Sequence, residues 1–328
     1  MNDIYNELYN ALKPHVKHSV WVLSDLQQSH AENVKHCLDI TLEDFELLNR
    51  PAEQIWYLGD SVERWDLDHL YRMTDMQVEG FGKLGIPLCY ATGNHDYDYM
   101  RYHAEPSDNL TMPFYQAVQK KEGWLTTKDP EDFYFRTELG DYAVYFLCDH
   151  ISKKNEWLVT HSRIIYGADK YPYTQKDADE LREKIASEKK VITASHYAFP
   201  GGNRDSFLMS KLTPLPSNVM IHFYGHAHMG DFDWAGKDAF RRICWVDFED
   251  IPQIDVASME NIRGAFCRSA LFQIYDDDTM GIFFRNHDSH TFTEAYFPAR
   301  IKQPETVSQE KRSQLYSRYM DTIRYIFE

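Results

Sequence analysis

Five short segments of the 328-residue chain carry side chains that can bind metal ions. Each segment supplies a carboxylate, an amide or an imidazole, and none supplies a thiolate. A ligand set of nitrogen and oxygen atoms favours Mn, Fe, Zn or a similar ion over Ca. The segments are Asp25-x-Gln27, Gly59-Asp60-x-x-Glu63, Gly93-Asn94-His95-Asp96, His196 and Gly225-His226-x-His228.

Taken singly, these segments have ordinary structural explanations. An aspartate that follows a strand more often caps a helix than binds a ligand, and a lone histidine is more often a core or surface residue. Only Gly-Asn-His-Asp and Gly-His-x-His are more specific. Because all five occur in one chain, each behind an apolar run, a common site is the better interpretation.

The apolar runs before the segments are typical of β-strands. In the first half of the chain they alternate with helices, which indicates an α/β fold with right-handed parallel crossovers. Ligand sites of open α/β sheets lie at the carboxyl ends of strands, so the segments are expected to meet at one edge. In an extended backbone, Asp25 and Gln27 would project to one side, as would His226 and His228. We predict strands at Ser19-Ser24, Ile55-Leu58, Pro87-Ala91, Phe133-Thr137, Tyr142-Cys148, Val191-Ala194, Val219-Tyr224, Arg241-Val246, Ala270-Tyr275 and Met280-Phe284, and helices near Ile40-Leu48, Leu67-Leu84 and Lys176-Ser187.

In order and type, the five segments resemble the pattern of the calcineurin-like metallophosphoesterase superfamily, which is D-x-H, G-D-x-x-D/E, G-N-H-D/E, H and G-H-x-H. The resemblance extends over residues 19–286. It implies an α/β fold, a four-layer α/β/β/α sandwich with two metal ions at the top of its two sheets. By position, it assigns the first ion to Asp25, Gln27, Asp60 and His228, and the second ion to the bridging Asp60 with Asn94, His196 and His226.

The same resemblance gives roles to the other motif residues. His95 is expected to face the substrate, with Asp96 orienting it, and Glu63 is expected to support the ligands without binding an ion. Gln27 stands where the family normally has a histidine. Because its amide oxygen is neutral and oxygen ligands suit manganese, we expect Mn²⁺, with Fe, Zn or Ni as alternatives.

The expected reaction is hydrolysis of a phosphate ester. Two divalent cations carry more positive charge than the two ligand carboxylates neutralise, so the site can hold both a bridging hydroxide and a phosphate. Sequences with Asp-x-Gln occur among the Mn-dependent ADP-ribose/CDP-alcohol diphosphatases of the superfamily. This resemblance favours a phosphodiester or pyrophosphate bond in a small nucleotide-like substrate.

Other branches of the superfamily fit less well. Protein serine/threonine phosphatases have Arg where Thr92 stands, and purple acid phosphatases have Tyr where Glu63 stands. Tyr97, Asn203 and Arg204 follow the third and fourth segments and are candidates for substrate binding, through base stacking and phosphate pairing. Ordinary surface packing explains these three residues equally well.

The composition of the chain limits which molecules it is expected to bind. The formal net charge of -16 opposes non-specific binding to long nucleic acid, so a small phosphorylated substrate is expected instead. The chain lacks an apolar run long enough to span a membrane and begins without the features of a signal peptide, which predicts a cytoplasmic protein with no membrane contact.

The chain is expected to form one catalytic unit with helical ends. We predict an N-terminal helical extension over residues 1-18, a metallophosphoesterase domain over 19-300 and a C-terminal helical tail over 301-328. The tail would pack on the body or on a second subunit, which makes an oligomer possible. As an alternative to an active hydrolase, the chain could be a binding or scaffold protein that keeps the fold without turnover.

Overall fold

The computed structural model describes residues 4–28, 30–62, 66–97, 112–129, 132–148, 174–199, 207–226, 228, 245–248, 251–256, 258–261 and 266–298. The predicted C-terminal tail and the candidate residues Glu63, Asn203 and Arg204 lie outside these ranges. The side chain of Tyr97 is also not described.

Strands and helices alternate in the first part of the chain, whereas the last six described strands have no described helix between them. The helices are α1 (Ile4–Leu12), α2 (Ala31–Leu47), α3 (Leu67–Gly82), α4 (Pro113–Lys120), α5 (Gln175–Ser187) and α6 (Phe207–Leu212). The strands are β1 (Val16–Leu23), β2 (Gln54–Leu58), β3 (Leu88–Ala91), β4 (Trp124–Leu125), β5 (Tyr134–Leu139), β6 (Tyr142–Leu147), β7 (Val191–Ser195), β8 (Val219–Tyr224), β9 (Trp245–Phe248), β10 (Ile251–Asp255), β11 (Arg268–Tyr275), β12 (Met280–Asn286) and β13 (Thr291–Tyr296). No helix in these ranges is both long and apolar enough to cross a membrane.

The strands form two sheets, each with a parallel centre. The first sheet has the order β13-β12-β11-β1-β2-β3-β4, and β1 to β4 are parallel to one another. The second sheet has the order β5-β6-β7-β8-β10-β9, and β6, β7, β8 and β10 are parallel. Because neighbouring parallel strands end at the same edge, each sheet brings several strand ends together there.

Alternating side chains of the strands fill three buried layers. On β1, Val20 and Val22 face the second sheet, whereas Trp21 and Leu23 face the helices of the first sheet. Helices α1 to α4 cover the outer face of the first sheet, and α5 and α6 cover the outer face of the second. The architecture is therefore helix, sheet, sheet, helix, which confirms the predicted four-layer α/β/β/α sandwich.

The predicted elements differ from the structure mainly at their ends. Helix α2 begins at Ala31, nine residues before the predicted start at Ile40. Buried Val34, Leu38 and Phe45 continue one helical stripe, but His30 makes no side-chain capping bond, so no sequence signal marks the beginning. Helices α4 and α6 and strands β4, β10 and β13 were not predicted. Strand β1 begins at Val16 rather than Ser19, inside the predicted N-terminal extension.

Candidate metal centre

Backbone hydrogen bonds join neighbouring strand ends within each sheet, and His196 Nδ1, 2.7 Å from the carbonyl oxygen of Leu58, links the second sheet to the first. The amide of Asp25, after β1, donates to the carbonyl of Gly59 at 3.0 Å, and the amide of Gln27 donates to the carbonyl of Asp60 at 3.0 Å. In the second sheet, the amide of Gly225 donates to the carbonyl of His196 at 3.2 Å. The expected meeting of the motif segments at one edge is therefore observed for the described residues.

One group of ligand atoms surrounds Asp60. Ligand atoms of Asp60, His196 and His226 all lie within 4.8 Å of one another. His196 Nε2 is 3.2 Å from Asp60 Oδ2 and 3.2 Å from Asn94 Oδ1. Two ligand atoms that each lie about 2.1 Å from one ion are separated by roughly 3 Å. The spacing and the mixed nitrogen and oxygen chemistry of this group therefore fit a divalent cation.

A second group contains Asp25, His228 and Gln27. Asp25 Oδ1 lies 3.2 Å from His228 Nε2, and Asp25 Oδ2 accepts a hydrogen bond from the amide of His226 at 3.0 Å. Gln27 is 3% exposed, and its oxygen Oε1 has no hydrogen-bond partner among the described residues. Because a buried polar atom without a partner costs about 1–3 kcal/mol, this oxygen fits a ligand for a cation.

The backbone at these residues is left-handed. Asp25, Asp60, His226 and His228 have φ values of 58°, 52°, 65° and 53°. The expectation that extended backbone aligns Asp25 with Gln27, and His226 with His228, is therefore wrong. Left-handed turns replace it, and each turns its residue sharply at the end of a strand. Non-glycine residues in this region are uncommon and cluster at functional sites.

Two glycines allow the turns to approach closely. A Cβ atom on Gly93 would collide with the carboxylate and backbone nitrogen of Asp60, and one on Gly225 would collide with the side chain of Ser24. Only residues without a side chain fit at these positions. The turns before Asn94 and His226 therefore require glycine for this close approach.

His95 and Asp96 lie beside the ligands in different environments. The amide of His95 donates to Asp60 Oδ1 at 2.7 Å, and its side chain is half-buried. Asp96 is buried and accepts hydrogen bonds from the amides of Asp60, Ser61 and Gly93 at 3.0, 2.8 and 2.6 Å. These contacts tie the Asp60 turn to the Gly93 turn. The roles of His95 towards the substrate and of Asp96 in orienting His95 stay predictions.

The two ligand carboxylates are held in the ionised form. Burial raises the pKa of Asp25, but the charges of His228 and His196 outweigh burial and hold the pKa below its ordinary value. Burial likewise opposes ionisation of Asp60, and the charges of His196 and His95 outweigh it. Two buried negative charges therefore lie close together, which is stable only with positive charge beside them.

The pKa values of the site histidines also show that the site favours positive charge. Burial opposes protonation of His196, yet the charge of Asp60 raises its pKa to about 9. At His228, burial is again outweighed, here by Asp25, and the pKa lies well above its ordinary value. Burial and the neighbouring His196 lower the pKa of His226 to about 3. A site that draws protons onto two buried imidazoles also attracts metal cations.

One residue of the site, Glu260, was not predicted from the sequence. It is fully buried, and its Oε1 lies 3.2 Å from His228 Nδ1. It follows β10, which is parallel to β8, so the rule that sites lie at strand ends would have found it had β10 been recognised.

The sequence profile of the calcineurin-like phosphoesterase family matches residues 18–230. The chain belongs to this family. No curated protein is significantly similar in sequence.

Two solved structures match most of the chain at low sequence identity. A purple acid phosphatase from yellow lupin (Lupinus luteus) seeds has a TM-score of 0.49 and 12% identity, and the match covers 85% of this chain and 53% of the lupin protein. A phosphatase from Mycoplasma pneumoniae has a TM-score of 0.36 and 11% identity, with 85% of this chain and 92% of that protein covered. The chain thus spans about half the length of the lupin protein.

The family match and the Asp60–His196–His226 group, whose ligand spacing fits a divalent cation, both indicate a metal site. The profile match ends at residue 230, so Glu260 lies outside the part of the chain that the family profile covers.

Proposed function

We propose that the chain hydrolyses a phosphodiester or pyrophosphate bond in a small nucleotide-like substrate, using two divalent metal ions. Asp25, Gln27, Asp60 and His228 would hold one ion, and Asp60, Asn94, His196 and His226 would hold the other. Bound there, the ions would supply charge neutralisation for the phosphoryl oxygens and lower the pKa of a water that serves as nucleophile.

The observation that carries this proposal is the buried oxygen of Gln27. It lies on the same turn as Asp25, and no described residue donates a hydrogen bond to it. Asp25 Oδ1 lies 3.2 Å from His228 Nε2. A carboxylate ligand and an imidazole ligand therefore lie next to the turn that carries Gln27. A first ion site that includes Gln27 explains both features, and the Asp60 group supports the second ion.

The protein's own groups have distinct tasks in this proposal. The backbone amide of His95 donates to Asp60 Oδ1 and thereby fixes the carboxylate that would bridge the two ions. The half-buried imidazole of His95 would protonate the leaving oxygen or stabilise the charge of the transition state. Asp96 would keep the Asp60 and Gly93 turns in register through its buried hydrogen bonds.

Three features support the choice of substrate and metal. The formal net charge of -16 disfavours long nucleic acid, and Asp-x-Gln resembles the diphosphatases that cleave small nucleotides. Gln27 offers an oxygen ligand, which favours Mn²⁺ over Zn²⁺ at that site. Tyr97, Asn203 and Arg204 stay candidates for substrate contacts. A cytoplasmic location and assembly through the C-terminal tail stay predictions as well.

The proposal is tested with chromogenic substrates and a nucleotide screen. Purified protein with added Mn²⁺ should hydrolyse bis-p-nitrophenyl phosphate faster than p-nitrophenyl phosphate, and a screen of dinucleotides, nucleotide diphosphate esters and cyclic nucleotides should identify the preferred bond. Asp60→Asn should abolish the metal-dependent rate. His95→Asn should lower kcat by roughly 10²-fold while metal content stays near wild type.

The controls separate the hydrolase from the binding protein. An Asp60→Asn variant that keeps a tenth of the wild-type rate at saturating Mn²⁺ would contradict the bridging role. Protein that binds two Mn²⁺ ions yet cleaves none of these substrates would favour the binding or scaffold function instead.

A further inference from the structure

Glu260 contacts the outer nitrogen of a proposed metal ligand. Its Oε1 lies 3.2 Å from His228 Nδ1, and the other ring nitrogen, Nε2, lies 3.2 Å from Asp25 Oδ1. Both carboxylates are fully buried, and His228 is nearly so. The imidazole therefore lies between two carboxylates, with one carboxylate oxygen 3.2 Å from each ring nitrogen.

The loop that carries Glu260 is fastened to the Asp25 turn. The amide of Glu260 and the hydroxyl of Ser258 both donate to the carbonyl of Asp25 at 3.0 Å. The amide of Met259 donates to the carbonyl of Ser24 at 3.0 Å. These bonds fix the distance between the Glu260 backbone and the turn that carries Asp25.

We propose that Glu260 is a positioning residue that orients His228 and strengthens it as a ligand for the first metal ion. The inference rests on the proposed two-ion site. With a carboxylate at Nδ1, the proton of the neutral imidazole stays on Nδ1, and the lone pair of Nε2 points towards Asp25. A carboxylate on the outer nitrogen also makes the imidazole a stronger electron donor.

His196, one of the two histidines in the other ligand group, is held differently. His196 Nδ1 lies 2.7 Å from the carbonyl oxygen of Leu58, which is a neutral acceptor. Its Nε2 faces Asp60 and Asn94. The acceptor behind His228 is therefore charged, whereas the acceptor behind His196 is neutral. An amide oxygen is a weaker ligand than imidazole for borderline metals, so Gln27 lowers the metal affinity of the first site. By strengthening His228 as a ligand, Glu260 offsets part of this loss.

The proposal is tested by calorimetric titration of the metal-free protein with Mn²⁺. Glu260→Leu should weaken one of two binding events by about 10- to 100-fold and leave the other within about threefold. Glu260→Gln keeps an oxygen that can accept from Nδ1 but loses the charge, so it should fall between Leu and wild type. Asp25→Asn identifies the event that belongs to the first site, because it should weaken that same event.

The chain offers a matched control at its surface. Glu53 Oε1 lies 2.8 Å from His18 Nδ1, so Glu53→Gln changes the same kind of pair outside the site and should leave both binding events unchanged. Thermal melting of each metal-free variant shows whether the fold is intact. If Glu260→Leu fails to fold, the titration of the Glu260→Gln variant is used to test the proposal.

The outcomes separate this inference from the proposed function. If Asp25→Asn weakens one event and the Glu260 variants weaken neither, the role of Glu260 is overturned while the two-ion site stands. Equal weakening of both events, together with a lower melting temperature of the metal-free protein, would also overturn it, because that result indicates a structural role. If Asp25→Asn changes neither event, the metal assignment itself fails, and this inference fails with it.

Discussion

At the scale of single residues, the site combines strained backbone with buried charge. Asp25, Asp60, His226 and His228 each adopt a left-handed conformation, which costs about 1–3 kcal/mol for a non-glycine residue. Contacts on the backbone hold two of these turns: the carbonyl of Asp25 accepts from Glu260, and the amide of Asp60 donates to Asp96. The strain persists because the loops around it are fixed by buried hydrogen bonds.

Replacing Gln27 by histidine should strengthen the first metal site. An imidazole restores the nitrogen ligand that the family normally has at this position, so Gln27→His should bind Zn²⁺ more tightly and gain less activity from added Mn²⁺ than wild type. Wild-type protein should be purified with fewer than two ions per chain. Calorimetric titrations of both proteins check this, and equally tight sites in wild type with no response to the substitution would show that residue 27 is not a ligand.

At the scale of elements, the turns after β2 and β3 depend on a glycine. A methyl group at residue 93 would push the Asp60 carboxylate out of place, so Gly93→Ala should weaken Mn²⁺ binding and lower the metal-dependent rate by at least roughly tenfold. Gly80 in α3 is a matched control, because an added Cβ there meets Leu38 and Leu42 at an ordinary 3.6 Å. Gly80→Ala should leave the rate unchanged, and an equal loss in both variants would argue against a specific clash.

A buried ion network joins helix α2 to the first sheet. Asp44 is fully buried and accepts hydrogen bonds from Arg285 at 2.6 and 2.9 Å, and its oxygens lie 2.7 Å from ring nitrogens of His287 and His290. Burial opposes ionisation of Asp44, but the hydrogen bonds and charges of His287 and Arg285 outweigh burial and lower its pKa. The carboxylate therefore stays charged inside the protein and fixes how α2 packs on β12.

Removal of that charge should destabilise the protein. Asp44→Asn leaves Arg285 buried without its counter-ion, which should lower the free energy of unfolding by about 3–5 kcal/mol. Because the folded pKa lies below the ordinary value, this contribution is present above about pH 4 and is lost as the pH falls further.

Urea unfolding measures the effect of Asp44→Asn. The control is Glu46→Gln on the same helix, where an exposed pair with Arg50 should contribute less than about 1 kcal/mol. Similar losses in the two variants would contradict a special role for Asp44.

At the scale of the whole molecule, His222 should contribute to a loss of stability in mild acid. Burial lowers its pKa to about 4, and the neutral ring lies 2.9 Å from both Thr193 Oγ1 and the carbonyl of Tyr197. The unfolded chain takes up a proton near pH 6.5 and the folded chain only near pH 4, so folding loses about 3 kcal/mol as the pH falls through this window.

A variant without the ring separates this effect from other titrations. His222→Gln should show a shallower decline of the free energy of unfolding between pH 6.5 and 4 than wild type, when both are unfolded in urea. Identical slopes would show that His222 does not titrate differently in the folded and unfolded states.

The sequence by itself determined the fold class and the residues that meet at the site. Asp25, Asp60, Asn94 and His226 follow apolar runs directly, and parallel strands end at a common edge, so order and residue type predict their approach. The alternation of strands and helices in the first half predicts an α/β fold, whereas the four-layer order of two sheets between helices was implied by the resemblance to the calcineurin-like family. These features depend on local periodicity and on short segments, which a sequence displays.

Only the tertiary structure decided how the ligands are held. Glu260 reaches His228 because the loop after β10 packs on the Asp25 turn, and Asp44 reaches Arg285 across 241 residues of sequence. The left-handed turns were also not predicted, because aspartate and histidine adopt that conformation only when surrounding hydrogen bonds hold it. Contacts between residues far apart in sequence leave no periodic or local signal, so the partners of the buried charges become known only when the chain is folded.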